Sequence, residues 1–209
     1  MEHAAEGVIK FSLHYQAADP PDWALCAELD AWRTLLFQLG LTGQNPMRYG
    51  GLGYGNVSRR LDPTRFLISG SQTGGRLQLR ARDYCVVNGF SVSTNRIDAT
   101  GPIKPSSEAL THGGIYADYP TMNCVLHVHS PLIWSNAAAL GMPVTPNDIA
   151  YGTPEMARSI SQQICGHLNP VIVMGGHEDG VIACGTSIED AALALISSLA
   201  RALRQARSG

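Results

Sequence analysis

The sharpest chemical feature of the chain is a pair of histidines one residue apart, in the run Leu126-His127-Val128-His129-Ser130. On a β-strand, side chains alternate between faces, so His127 and His129 point one way while Leu126 and Val128 point the other. Neutral imidazole is the commonest protein ligand for a metal ion, and two on one face can grip a single ion. Alone, such a pair reads equally well as two solvent-facing histidines on a half-exposed strand. The apolar start of the same strand favours the metal, because the histidines then sit where a buried strand emerges. Catalytic zinc sites usually take three protein ligands and leave a position open. The remaining candidates are His177, in a glycine-flanked turn between two apolar runs, and His112, four residues after Glu108 on one helical face. His112 suits an orienting or packing role but is also a rival ligand; His177 is the preferred third.

Glu108 follows Ser106 and Ser107 at the start of a helix. There a carboxylate either answers the helix dipole or serves as a general acid/base beside a metal. Two hydroxyls and the open N–H groups of a helix start also make a cradle for an anion. Two glycine-rich turns, Gly51-Leu52-Gly53-Tyr54-Gly55 and Gly70-Ser71-Gln72-Thr73-Gly74-Gly75, invite a phosphate reading as well. Neither has the Gly-Lys-Ser/Thr of a nucleotide loop, and neither opens a helix after a strand as a dinucleotide fingerprint does. From residue types alone, a hydrolase using zinc-activated water with Glu108 as base fits as well as any other zinc chemistry.

The elements that must carry these residues alternate. A strand is expected over residues 7 to 16, then a helix opened by Pro20-Pro21-Asp22, with an apolar stripe of Leu25, Leu29, Trp32, Leu36 and Leu39 and a stop at Gly40. Residues 42 to 55 read as a polar, glycine-dense loop. Strands are expected at 65 to 69, 84 to 87, 122 to 129, 171 to 174 and 181 to 184. Helices are expected from Pro105 to about Tyr119, from Pro131 to Leu140, from Thr153 as cap, and after Ser187, where Asp190 completes a capping box. Interleaved strands and helices with no repeat and no linker predict one α/β domain spanning residues 1–209.

Composition bounds the function. With 44% hydrophobic and 15% charged residues and a net charge of −2, nothing suggests a nucleic-acid or anionic-membrane partner. The cysteines Cys26, Cys85, Cys124, Cys165 and Cys184 form no C-x-x-C pair and read as buried, reduced thiols. The first six residues are acidic and unlike a signal peptide, and no apolar run could span a bilayer, so a cytoplasmic protein is expected.

Taken in order, several segments resemble the class II aldolase/adducin family, the zinc-dependent aldolases of fuculose phosphate and their relatives. They are Gly55-Asn56-Val57-Ser58, Leu67-Ile68-Ser69 leading to Thr73-Gly74, Pro105-Ser106-Ser107-Glu108 with His112, and Ala117-Asp118-Tyr119-Pro120 leading to His127-Val128-His129-Ser130. Tyr151-Gly152-Thr153, then His177 with Gly180-Val181-Ile182-Ala183, complete the series. The resemblance covers roughly residues 22 to 200 and leaves residues 1–20 outside as an extension. It implies a three-layer α/β/α domain around a mainly antiparallel sheet, assembled as a homotetramer with its site near a subunit interface. It implies His127, His129 and His177 as ligands of Zn2+ or another divalent metal, with Glu108 as the proton-transfer residue. Asn56, Thr73, Gly74, Ser106 and Ser107 would hold a substrate phosphate. The activity implied is that of an aldolase-type lyase acting on a small hydroxy-carbonyl or sugar-phosphate substrate through a zinc-stabilised enediolate. Epimerase, dehydratase or decarboxylase chemistry, or a non-catalytic adducin-like binding module, are the alternatives. The chain departs from the pattern in a shorter stretch between His129 and His177, in an extended turn at 70–75, and in His177-Glu178-Asp179-Gly180, where the family usually has His-Gly.

Overall fold

In chain order, the computed structural model forms strand β1 (Ser12–Ala17), helix α1 (Trp23–Gln38) and the short strands β2 (Gly43–Gln44) and β3 (Gly53–Tyr54). Next come β4 (Asn56–Arg60), β5 (Phe66–Ser69), β6 (Tyr84–Ser91), β7 (Arg96–Gly101), α2 (Ala109–Asp118), β8 (Cys124–His129) and α3 (Pro131–Ser135). The chain ends with α4 (Pro154–Ile164), β9 (Val171–Val173), β10 (Gly180–Gly185) and α5 (Ile188–Ala206). The structure describes residues 7–164 and 166–207, so the readings of the acidic N-terminus and of Cys165 fall outside the described residues. Cys26, Cys85, Cys124 and Cys184 are buried free thiols.

Eight strands form one sheet in the order β1-β7-β6-β5-β4-β8-β10-β9. Every neighbouring pair is antiparallel except β1 with β7. Alternation along the strands sends apolar side chains to both faces, which makes two cores. One, built from Val125, Ile182, Cys184, Ile68 and Val87, packs under Leu110, Ile115, Met156 and Ile160 of α2 and α4. The other, built from Leu126, Val128, Val181 and Val57, packs under Leu29 and Leu36 of α1, Ile133 of α3 and Leu195 of α5. This is the expected three-layer, mainly antiparallel α/β arrangement.

The helix ends follow their capping chemistry. Asp22 accepts from the N–H of Ala24 at 2.9 Å, and Gly40, with φ of +72°, turns the chain out of α1. Ser187 accepts from Asp190 N–H at 3.1 Å to open α5. The buried stripe of α1, however, is rotated from the expected one. Leu25 and Leu39 are exposed, whereas Cys26, Leu29, Asp30, Arg33 and Leu36 are buried. Two further differences concern polar stretches. Gly53–Tyr54, expected to be the end of a loop, forms β3, and Asn56–Arg60 and Arg96–Gly101, where no element was expected, form β4 and β7. The helix expected to run to Leu140 stops at Ser135, where Asn136 turns its side-chain amide back onto the Leu132 carbonyl at 2.9 Å.

Candidate active site

β8 lies inside the sheet, with β4 hydrogen-bonded on one side and β10 on the other. That double ladder fixes the height of its side chains: His127 stands between Asn56 and Ile182, and His129 stands beside Gly180. Both follow Val125 on the α2/α4 face, at the end of the strand. His177 arrives from the turn between β9 and β10, closed by His177 N–H to Met174 O (3.1 Å) and Gly180 N–H to His177 O (2.9 Å). A side-chain carbon at Gly180 would stand 3.0 Å from Cγ of His177, so the absence of one gives the imidazole its place.

The three imidazoles converge. One ligand atom from each of His127, His129 and His177 lies within 4.8 Å of the other two. Ring centroids are separated by 5.1 Å (His127–His129), 5.0 Å (His127–His177) and 4.7 Å (His129–His177). His112 belongs elsewhere. Its Nδ1 shares a 2.7 Å hydrogen bond with Ser58 Oγ, which lies 2.7 Å from the Tyr116 hydroxyl, all of them buried beneath α2. The geometry thus groups His177, rather than its rival, with the pair on β8.

Burial, and then the nearness of His177, hold His127 and His129 well below the ordinary imidazole range. Both therefore offer neutral nitrogen lone pairs. The Val181 backbone lies near the His127 ring, yet neither ring nitrogen meets a partner at hydrogen-bonding geometry. A fully buried polar atom of this kind calls for a partner. Three imidazoles whose ligand atoms lie this close together fit a borderline divalent ion such as zinc.

Glu108 is the residue that caps α2, and it is 1% exposed. Its Oε1 lies 3.8 Å from Nδ1 of His177, which puts a carboxylate against the histidine cluster. Its N–H donates to Ser106 Oγ at 3.3 Å. The other expected site residues gather at the same end of the sheet. Asn56 is the β4 partner of His127, and β5, paired with β4, leads directly into Gly70. Gly70 bridges to Pro105, and Ser71 N–H donates to Lys104 O at 2.9 Å, so the 70–75 turn adjoins Ser106 and Ser107. Thr73 Oγ1 donates to Gly70 O at 2.8 Å, and Thr73, Ser106 and Ser107 are all buried. A cleft of about 520 Å³ opens elsewhere, beside Arg76, Arg80 and Arg82, and none of these site residues lines it.

Four contributors to the site escaped the sequence reading. Tyr49 and Tyr54 pack on His129, with centroids 4.4 and 5.3 Å away. Tyr151 stacks on His177 at 4.5 Å and is held in turn by the N-terminal extension. Val8 N–H donates to its hydroxyl (3.2 Å), and the Lys10 ammonium lies 3.6 Å over its ring. The fourth is Arg48, paired with Asp179. Of the two carboxylates following His177, Glu178 is exposed, whereas Asp179 is buried and accepts from Arg48 Nη2 (2.9 Å) and the Tyr49 hydroxyl (2.6 Å). Tyr49 and Asp179 both hold left-handed backbone, with φ of 52° and 60°. Two tyrosines among the glycines of residues 49 to 55, and Tyr151 at the head of Tyr151-Gly152-Thr153, were the available signals.

Comparison with known proteins bears on what this arrangement is. A family described as the class II aldolase and adducin N-terminal domain matches residues 47–206, starting later than the expected span of roughly 22 to 200 and ending slightly beyond it. Methylthioribulose-1-phosphate dehydratase of Methylococcus capsulatus is 31% identical over 165 residues, covering 66% of this chain and 74% of that protein. The enzyme of that name from Yersinia enterocolitica is 33% identical over 121 residues, covering 57% of this chain and only 51% of its own length. Among solved structures, a sugar-phosphate aldolase from Thermotoga maritima superposes with a TM-score of 0.67 at 18% identity, covering 89% of this chain and 96% of that one. L-fuculose-1-phosphate aldolase from Thermus thermophilus gives 0.64 at 19%, covering 88% and 94%. At such identities these two establish likeness of fold alone.

Proposed function

The chain belongs to the class II aldolase and adducin family, and from that premise we propose that it is a metal-dependent lyase that removes water from a small phosphorylated hydroxy-carbonyl compound. What carries the reading is the buried cluster of His127, His129 and His177 with the Glu108 carboxylate 3.8 Å from His177. The family resemblance put aldol cleavage first. The relatives above 30% identity are dehydratases by name, which favours loss of water over cleavage of a C–C bond.

The three histidines would hold the ion and leave a position open to substrate. When bound, zinc or a similar divalent ion supplies Lewis acidity to a substrate carbonyl and its neighbouring hydroxyl. Glu108, at the N-terminus of α2, takes the proton from the carbon next to the carbonyl. The carboxylic acid so formed returns that proton to the hydroxyl leaving the following carbon. One C–H and one C–O bond break, a C=C bond forms, and the balance is one molecule of water. A single carboxylate suffices because the two positions are adjacent. Asn56, Thr73, Gly74, Ser106 and Ser107 would bind the phosphate through hydroxyls, an amide and backbone N–H groups at the helix start. The rings of Tyr49 and Tyr54 against His129, and of Tyr151 against His177, would shield these imidazoles from water.

We further propose that residues 1–209 form one domain, that the protein acts in the cytoplasm as a homotetramer with the site near a subunit interface, and that no nucleic acid or membrane takes part. Among the described residues no helix is long and apolar enough to cross a membrane.

The test presents the zinc-loaded protein with methylthioribulose 1-phosphate and, separately, with fuculose 1-phosphate, following products by NMR. Loss of water from the first with neither ketose cleaved is the expected result. Cleavage of fuculose 1-phosphate with no dehydration would overturn it in favour of an aldolase.

A further inference from the structure

Arg33 stands in the middle of α1, on the face turned to the core, and is only 2% exposed. Its Nη2 donates to the carbonyls of Thr73 (3.2 Å) and Gly74 (2.6 Å), and its Nη1 donates to those of Leu77 (2.9 Å) and Arg76. One buried guanidinium thus gathers four carbonyls from residues 73–77. The nearby carboxylates are engaged otherwise: Asp30 accepts from Leu79 N–H (3.0 Å) and the Tyr84 hydroxyl (3.3 Å), and Asp83 pairs with Arg76. Taking an arginine out of water is costly, so a site that keeps one here has a use for its charge or its fork of donors.

The fork has a geometric consequence. In a planar trans peptide, C=O and N–H point in opposite directions, and the described chain has no cis bond. Drawing the carbonyls of Thr73 and Gly74 toward Arg33 turns the N–H groups of Gly74 and Gly75 away from it. β3 is close by: these two nitrogens stand 3.3 and 3.2 Å from the position a Cβ on Gly53 would take. β3 ends in Tyr54, which packs on His129. Successive amide N–H groups turned to one side form an anion-binding concavity.

We propose that Arg33 is a positioning residue for the substrate's phosphate: from behind the 73–77 turn it aims the Gly74 and Gly75 N–H groups and adds a buried positive charge to their field. This rests on the reading that Thr73 and Gly74 meet a phosphate. Gly75 thereby joins the cradle as a donor.

The experiment titrates inorganic phosphate into zinc-loaded, 15N-glycine-labelled full-length protein, comparing wild type with Arg33→Lys and Arg33→Met. In wild type, phosphate should shift the Gly74 and Gly75 amide signals. Arg33→Met should weaken phosphate at least tenfold, and Arg33→Lys less, with zinc content unchanged. For the phosphorylated substrate KM should rise by a similar factor while kcat at saturation stays near wild type. Equal phosphate affinity in wild type and in folded, zinc-loaded Arg33→Met overturns the role of Arg33 while leaving the cradle standing. Wild type that retains zinc but neither binds phosphate nor moves these amides overturns the phosphate reading and this inference with it. Should Arg33→Met fail to fold, Arg33→Lys decides. Weaker phosphate binding with displaced Gly74 and Gly75 amides supports the role, and unchanged binding overturns it.

Discussion

The histidine half of the site and the proposed phosphate half are held by opposite means. His127 and His129 ride on an interior strand with a hydrogen-bond ladder on each side, and His177 is one short turn from the same ladder. Thr73, Gly74, Ser106 and Ser107 ride on loops that meet at the end of the sheet. Those loops are tied by side-chain contacts such as Thr73 Oγ1 to Gly70 O and the fork of Arg33 to the 73–77 carbonyls. Ladder hydrogen bonds form and break together, whereas loop contacts can be altered one at a time. The division teaches that the histidine cluster and the proposed substrate loops can share one end of the sheet yet be independently adjustable, which is how one fold hosts several reactions.

If that division is real, substitutions on the two sides should separate metal binding from substrate binding. The largest effect is expected from His127→Ala or His129→Ala, which should abolish metal retention and turnover together; metal analysis alongside an activity assay checks this. Glu108→Gln comes next. It should keep the metal and lower kcat by roughly 10²- to 10⁴-fold, the usual range for removing a general acid/base. On the loop side, Thr73→Ala should raise KM for the phosphorylated substrate about tenfold, near 1.4 kcal/mol, with metal content and kcat kept. Metal loss in Thr73→Ala would break the division outright.

The smallest effect sharpens the comparison within one turn. Asp179→Ala leaves the Tyr49 hydroxyl and Arg48 without their shared acceptor. It should lower stability by about 1–3 kcal/mol, read as a drop in Tm. The exposed Glu178→Gln should stay within about 0.5 kcal/mol of wild type. Equal Tm losses would mean that the Tyr49–Asp179 contact carries no weight.

How much of this was legible in the sequence follows from the same division. The histidine half was readable because strand alternation is local: once Met122 to His129 is a strand, His127 and His129 must share a face. Choosing His177 over His112 was not settled by spacing. It took the fold to bury His112 against Ser58 and Tyr116 and to bring the β9–β10 turn to the end of β8. β4 was missed because Asn56-Val57-Ser58-Arg59-Arg60 has a single apolar residue; its alternation is real, but the inner face is polar, since Asn56 neighbours His127 and Ser58 serves His112. β7 did carry a pattern, with Ile97 and Ala99 buried between less buried neighbours, but only two apolar side chains alternate there among Arg96, Asp98 and Thr100. Arg33 was missed because arginine in a helix reads as surface. Only the neighbouring turn, 40 residues away in sequence, supplies the carbonyls that let it be buried. Asp179 was noticed as a carboxylate, but its partners Arg48 and Tyr49 lie more than a hundred residues earlier.

The central claim is that His127, His129 and His177 together make one metal site. The most direct measurement is the metal content of purified protein, by mass spectrometry of the elements, after zinc loading and dialysis, for wild type and for His177→Ala. Close to one zinc per chain is expected in wild type, with its loss in His177→Ala and the fold retained by circular dichroism. Wild-type protein that holds no metal after loading, or a folded His177→Ala that keeps a full complement, would contradict it.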